Sequence, residues 1–139
     1  YKGAAPALTD VLGGQIQTAI VGTPAALPYV KSGKLTALGV TSLKRSPNAP
    51  EIPAISETIP KFDVELVYAI VAPAETPKPI IDKLNAQLIS VLNNSEIKSQ
   101  LNSRGFEVVT STPAQLGDYI KSEVAKWGPI VKKSGATAD

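Results

Sequence analysis

Ser95 and Lys98 come nearest to a catalytic pair in type and spacing. They match S-x-x-K, in which a lysine one helical turn from a serine helps to deprotonate the hydroxyl. The Lys-Ser-Gly triplets at 31–33 and 133–135 resemble the K-[ST]-G element of the same enzymes, but no S-D-N element accompanies them. Short motifs often match by chance, so a serine hydrolase is the less favoured hypothesis. The favoured one is that Ser95 caps a helix and Lys98 is solvated.

The composition removes most other enzyme chemistry. The 139 residues include no Cys and no His, so disulfides, thiolate metal sites, the usual general base and the commonest metal ligand are absent. Neither a P-loop nor a dinucleotide-binding glycine motif is present. A net charge of +2 and 5% aromatic residues do not fit a nucleic-acid-binding surface. The composition therefore leaves little of ordinary enzyme chemistry, and we expect no cofactor, no metal and no nucleic-acid partner.

Two helix starts are the candidate binding sites. Gly3, Ala4 and Ala5 precede a helix with small residues, which leave backbone N–H groups open to a close-lying anion. Thr23 stands at a second such start, between Gly22 and Pro24, and adds a hydroxyl group. The alternative is that both glycines merely permit tight turns, and the residues alone leave these two interpretations open.

Alternating helix and strand signals in the first half predict an α/β fold with parallel strands. Gly13-Gly14 ends the first helix, Thr23 is predicted to cap the second with Pro24 following, and Gly33 closes it. The predicted helices are 5–12, 23–32, 76–94, 95–104 and 112–134. The predicted strands are 15–21, 35–41, 66–72 and 106–110. The strand at 66–72 is apolar throughout and is expected to be covered on both faces. Thr112 with Gln115 predicts a capping box, and Gly128-Pro129 is expected to kink or interrupt the last helix.

A proline-rich stretch at 44–62, with one short helix at 54–59, separates two regions. Residues 1–62 carry six Lys/Arg and three Asp/Glu, a net charge of +3, whereas 63–139 carry eight bases and nine acids, a net charge of −1. The composition therefore predicts a boundary between lobes near residue 62. The sequence has no Met, which predicts a processed chain or a fragment, and it has no apolar run of the roughly 20 residues that span a membrane.

Ordered blocks along the whole chain resemble one family. The segment at 1–15, Tyr-Lys-Gly-Ala-Ala-Pro-Ala-Leu-Thr-Asp-Val-Leu-Gly-Gly-Gln, looks like the hallmark of the Bug, or TctC-type, family. These are the substrate-binding proteins of tripartite tricarboxylate transporters. Later blocks agree in order: Pro-Ala-Ala-Leu-Pro at 24–28, Lys-Ser-Gly-Lys-Leu at 31–35, Ala-Leu-Gly-Val-Thr-Ser at 37–42, Arg-Gly at 104–105 and Glu-Val-Ala-Lys-Trp at 123–127.

The resemblance implies a periplasmic-binding-protein-like fold of two lobes in family members about twice this length, with parallel or mixed sheets flanked by helices. It implies that 1–62 belongs to the second ligand-binding lobe and that 63–139 returns to the first. It implies a periplasmic, non-catalytic protein that binds a di-/tricarboxylate or an acidic amino acid and delivers it to membrane permease subunits. Gly3, Ala4, Ala5 and Thr23 match cleft-facing positions, and the missing N-terminal half of the same protein completes the site. The alternative is a module that presents a bound carboxylate to a signalling partner.

Overall fold

The computed structural model describes residues 1–135, and helices make up its regular structure. No helix within that range is both long and apolar enough to cross a membrane. The helices are α1 (Ala4–Leu12), α2 (Thr23–Lys31), α3 (Lys78–Asn93), α4 (Ser95–Ser103) and α5 (Pro113–Ser134), with a 3₁₀ turn at Ile55–Glu57. All five predicted helices and the short helix in the proline-rich stretch are thereby confirmed.

Two helix ends form as the local sequence predicts. The N–H of Gly13 donates to the carbonyl of Thr9 at 2.9 Å and closes α1. Gly14 follows with φ 71°, a left-handed conformation that favours glycine. At α5, the Thr112 hydroxyl accepts the Gln115 N–H at 3.2 Å, and the Gln115 side chain accepts the Thr112 N–H at 2.9 Å. This reciprocal capping box satisfies donors that the first helical turn leaves free.

Three helix predictions need correction. Gly22, not Thr23, is the N-cap of α2, because Gly22 has the extended backbone of a cap and Thr23 is already helical. Asn94, not Ser95, caps α4, since its side-chain oxygen accepts the N–H groups of the second and third helical residues at 3.0 and 3.2 Å. Pro129 does not interrupt α5, which continues to Ser134, whereas the predicted kink stays a prediction. The carbonyl that loses its partner there belongs to an exposed residue, so water can satisfy it.

The predicted strands at 15–21, 35–41, 66–72 and 106–110 do not form a sheet within residues 1–135. These segments are irregular or extended, and the one described pairing is a parallel bridge between Val40 and Ala54. Val40 donates to the carbonyl of Pro53 at 2.9 Å and accepts the N–H of Ile55 at 3.0 Å. Strand formation depends on a partner strand as much as on composition, and the other segments have no such partner here.

The chain divides into two units by its internal contacts. The first comprises residues 1–71 and 94–108, and the second comprises 72–93 and the residues from 109 onward. In the first unit, Leu27 of α2 packs with Ala49 and Ile52, and Ala37 and Val40 lie against this cluster. The proline-rich stretch thus supplies core residues. The lobe boundary predicted near residue 62 stays a prediction.

The second unit contains α3 and α5 and has no buried side chain among its described residues. The side-chain amide of Asn85 donates to the carbonyl of Ser111 at 2.9 Å, which ties α3 to the segment that enters α5. Apolar side chains recur at three- to four-residue spacing along α5, but they are only half-buried at Leu116 and Trp127 and are exposed at Tyr119, Ile120 and Val124. No surface among the described residues covers this apolar face.

The segment at 66–72 differs most from expectation. A strand covered on both faces was predicted, yet Leu66, Ile70 and Val71 are 67%, 67% and 77% exposed. Tyr68 makes an edge-to-face contact with Phe106, with the ring centroids 5.8 Å apart. A continuous apolar run is typical of a strand that is covered on both faces. The described residues do not provide elements that cover either face of this segment.

Candidate functional site

An open cavity of about 460 Å³ lies in the first unit at the start of α1. Its volume falls in the range of small-ligand sites, about 300–1,000 Å³. Residues that precede or begin α1 form one part of its lining, and the segment leading into α2 forms the other. The lining residues are Tyr1, Gly3, Ala4, Ala7, Ile16, Thr18, Ala19, Ile20, Val21 and Gly22.

The N-terminus of α1 lies at this cavity, which Gly3 and Ala4 line. The first turn of any helix leaves N–H groups without intrahelical partners, and here these belong to Ala4 and Ala5, since Pro6 has no N–H. Gly3 is the N-cap and has no side chain to accept them, and the first turn holds no acidic residue. The partial positive charge of the helix end is therefore not offset locally.

Gly3 also sets the direction in which the chain enters α1. Its φ of 110° lies in a region that residues with a side chain rarely adopt. A Cβ atom at this position would meet nothing within 4 Å, so space is not the constraint. The requirement for glycine is conformational.

The start of α2 contributes differently. Gly22 lines the cavity, but its carbonyl already accepts the N–H of Ala25 at 3.0 Å. Because Pro24 has no N–H, only Thr23 offers a free first-turn amide there. The methyl group of Thr23 faces Gly105, lying 3.3 Å from where a Cβ of that glycine would stand.

Of the predicted site residues, Gly3 and Ala4 line the cavity, whereas the side chains of Ala5 and Thr23 do not. All four belong to the helix starts that flank it, and their role in binding stays a prediction. Sequence reasoning missed Tyr1 and Thr18. Residues 15–21 were interpreted as a strand, which hid Thr18, and Tyr1 was considered only as part of a family segment.

The cavity is lined by neutral residues. None of its ten lining residues has a charged side chain. The hydroxyl of Tyr1 donates to the Asp10 carboxylate at 2.7 Å, and this bond, followed by desolvation and the charge of Asp10, raises the pKa of Tyr1. The Tyr1 hydroxyl is thus already engaged, and the other polar groups of the lining are backbone groups and the hydroxyl of Thr18.

Ser95 and Lys98 stand at the start of α4. Ser95 is its first residue, Lys98 lies one turn later, and both are exposed. Among residues 1–135 the two side chains are not joined by a hydrogen bond, the contact through which a base activates a nucleophile. Nor does that range contain a cluster of three acidic side chains able to hold a metal ion.

Sequence comparisons connect the chain to a family. The family described as "Tripartite tricarboxylate transporter family receptor" matches residues 1–136. Protein BugT of Bordetella pertussis is 34% identical over 137 residues, which are 98% of this chain and 42% of BugT. A UPF0065 protein from the tcbD–tcbE intergenic region of Pseudomonas sp. strain P51 is 30% identical over 133 residues, covering 94% of this chain and 40% of the relative.

Structural comparisons agree. R. palustris Rpa4515, solved with adipate, superposes with a TM-score of 0.87 at 29% identity over 97% of this chain and 46% of that protein. The periplasmic binding protein BugD gives a TM-score of 0.79 at 33% identity over the same shares. These matches confirm the predicted periplasmic-binding-protein-like fold. The chain spans less than half the length of these relatives.

Proposed function

The chain belongs to the tripartite tricarboxylate transporter receptor family, and from this premise we propose that it is a periplasmic solute-binding protein for a small organic acid. The supporting observation is the uncapped N-terminus of α1 at an open cavity with no charged lining residue. The proposed ligands are di- or tricarboxylates and acidic amino acids. Adipate, which Rpa4515 holds, is the first ligand to test.

In this proposal a carboxylate of the ligand accepts hydrogen bonds from the N–H groups of Ala4 and Ala5. Helix N-termini suit anions because several donors and the helix dipole point the same way. Gly3 allows close approach, since it brings no side chain over the amides. Thr23, whose side chain does not line the cavity, contributes only its N–H from the start of α2. Selection for an acid then rests on dipoles rather than on an ion pair.

The cavity is open, so a bound acid would keep contact with water. We propose that the remainder of the protein, the N-terminal half implied by the family resemblance, closes over it and also covers the exposed segment at 66–71. Two observations support this. The chain matches 42–46% of the length of BugT, Rpa4515 and BugD. In addition, Leu66, Ile70 and Val71 are exposed although they belong to a continuous apolar run, which is typical of a buried strand.

Membrane permease subunits of the transporter are the proposed recipients of the acid. The alternative, a module that presents a bound carboxylate to a signalling partner, would use the same cavity. Affinity capture with the purified permease distinguishes them, since the transport proposal requires binding that depends on the acid.

Isothermal titration of the complete gene product that carries residues 1–139 tests the proposal. Adipate, succinate, citrate and aspartate are the probes. Ala4→Pro deletes one proposed donor at the first helical position, where proline is tolerated because no intrahelical bond is lost. A hydrogen bond to a charged group contributes about 1.5–3 kcal/mol, so we expect affinity to fall roughly 10- to 100-fold.

Ser95→Pro is the matched control. Ser95 also occupies a first helical position, but it begins α4, follows the extended N-cap Asn94 and does not line the cavity. This variant should bind the acid as the parent protein does. Failure of the parent to bind any of the four acids, or equal loss in both variants, would contradict the proposed site.

A further inference from the structure

Tyr1 and Asp10 form a hydrogen bond that the proposed carboxylate site does not itself require. The phenolic hydroxyl donates to the Asp10 carboxylate at 2.7 Å, a length typical of charge-assisted O–H···O⁻ bonds. Tyr1 precedes α1, whereas Asp10 lies two turns into it. The bond therefore fixes the residue before the helix against the flank of the helix.

The same tyrosine lines the cavity. Among its ten lining residues, Tyr1 is the sole aromatic one. Ala4 and Ala7 also line it, and Ala7 lies about one helical turn from Ala4 on one side and from Asp10 on the other, so the three follow one another along α1. The two alanines have small side chains. The largest side chain among the lining residues is thus hydrogen-bonded to a residue that lies beyond them along the helix.

We infer that Asp10 is a positioning residue and Tyr1 a specificity-determining one: the bond holds the phenol ring as a side wall that contacts the carbon chain of a bound dicarboxylate. The inference rests on the proposed function, in which the amides of Ala4 and Ala5 hold one carboxylate. It adds that the Tyr1 ring determines which length of dicarboxylate binds best.

Tyr1 is 71% exposed, so without the bond its ring is free to sample several staggered rotamers. Holding it in one of them before the ligand arrives avoids the loss of that freedom during binding. The Asp10 carboxylate raises the pKa of Tyr1, which keeps the hydroxyl protonated as the donor. A longer acid places more methylene groups against the ring, and each one removed from water strengthens binding by about fourfold.

The test is titration calorimetry of the complete gene product with succinate, adipate and octanedioate. Tyr1→Phe keeps the ring and removes the donor, and Asp10→Ala removes the acceptor. Each should weaken adipate binding by the same factor, about three- to tenfold, and the double variant should be no weaker than either single one. Asp10→Asn, which still offers an acceptor oxygen, should restore most of the affinity.

The Tyr1→Ala variant tests whether the ring contacts the ligand or only supports the local structure. Loss of the ring should flatten the increase of affinity from succinate to octanedioate, whereas general damage would weaken all three acids equally. Tyr29→Phe is the control, because Tyr29 is half-buried in α2 and does not line the cavity.

The outcomes are distinguishable. If the parent protein binds none of the acids, the proposed function fails and this inference fails with it. If the parent binds but Tyr1→Phe and Asp10→Ala bind adipate equally well, only the inference is overturned. Should Asp10→Ala unfold, as its melting temperature would reveal, Tyr1→Phe and Tyr1→Ala still decide the question.

Discussion

Arg45 holds both carboxylate oxygens of Glu57. Its Nε and Nη2 atoms each lie 2.7 Å from one oxygen, and Nη1 donates to the carbonyl of Pro50 at 3.1 Å. Glu57 also accepts the N–H of Ala54 at 2.9 Å. This ion pair thus joins two positions of the proline-rich stretch that are 12 residues apart. The residues between them include Ala49 and Ile52, which belong to the core of the first unit.

Acid should release this ion pair. The hydrogen bonds from Arg45, and then the Ala54 N–H, lower the pKa of Glu57 from 4.5 to about 2. A carboxyl group with a depressed pKa stabilises the folded state fully above pH 4.5, and that contribution disappears as the pH falls from 4.5 through 2. The melting temperature of the parent should therefore exceed that of Glu57→Gln at pH 7, and the two should converge at low pH.

Glu51→Gln is the control for that series. Glu51 is exposed and lies in the same stretch, so the change removes an equal charge without removing the ion pair. Its melting temperature should follow that of the parent at every pH. A gap between the parent and Glu57→Gln that stays constant down to pH 2 would refute the depressed pKa.

Gly105→Ala should destabilise the first unit. Gly105 has φ 88°, and a Cβ atom there would lie 3.2 Å from Leu27 and 3.3 Å from the backbone nitrogen of Pro24. Strain of this kind costs about 1–3 kcal/mol. Gly117→Ala in α5 is the control with the opposite sign, since helical glycine has open space there and alanine gains about 0.5–1 kcal/mol. Urea unfolding of both variants measures the difference.

Leu27→Ala should remove the centre of the small core. Leu27 is 3% exposed and packs with Ala49 and Ile52. Truncation of a buried leucine costs about 2–5 kcal/mol, through lost burial and the cavity that remains. Leu38→Ala is the same change at a side chain that is 75% exposed, and it should alter the free energy of unfolding by less than about 0.5 kcal/mol. Equal losses would show that the core lies elsewhere.

Asn94→Ala should cost about 1 kcal/mol, because it removes the side-chain oxygen that caps α4. Ser95→Ala should change stability little, since Ser95 is the first helical residue and exposed. The second variant also tests the hydrolase alternative. Any esterase activity of the parent that disappears in Ser95→Ala would revive a catalytic role for this serine.

The helices were predictable from the sequence because their signals are local. Gly13 after α1 and the Thr112–Gln115 capping box act over three or four residues, and both form as expected. The errors in the caps of α2 and α4 are shifts of one residue, since neighbouring polar or small residues compete for the cap position.

The strands and the walls of the cavity depend on distant residues and were not predictable in the same way. The apolar segment at 66–72 indicates a strand, but only a partner strand makes one. The amides of Ala4 and Ala5 were expected from the Gly-Ala-Ala start of α1. Tyr1 was not, because the role proposed for it depends on a hydrogen bond to Asp10 nine residues later, which no local pattern indicates.

The most direct test of the account is an amide-resolved NMR titration of the ¹⁵N-labelled gene product with adipate. The account predicts that the N–H resonances of Ala4 and Ala5 move downfield, with the same dissociation constant as calorimetry reports, as they begin to donate to a carboxylate. The N–H groups of Glu96 and Ile97, already capped by Asn94, should not move. Binding of adipate without any change at Ala4 and Ala5 would contradict the claim that the start of α1 holds the ligand.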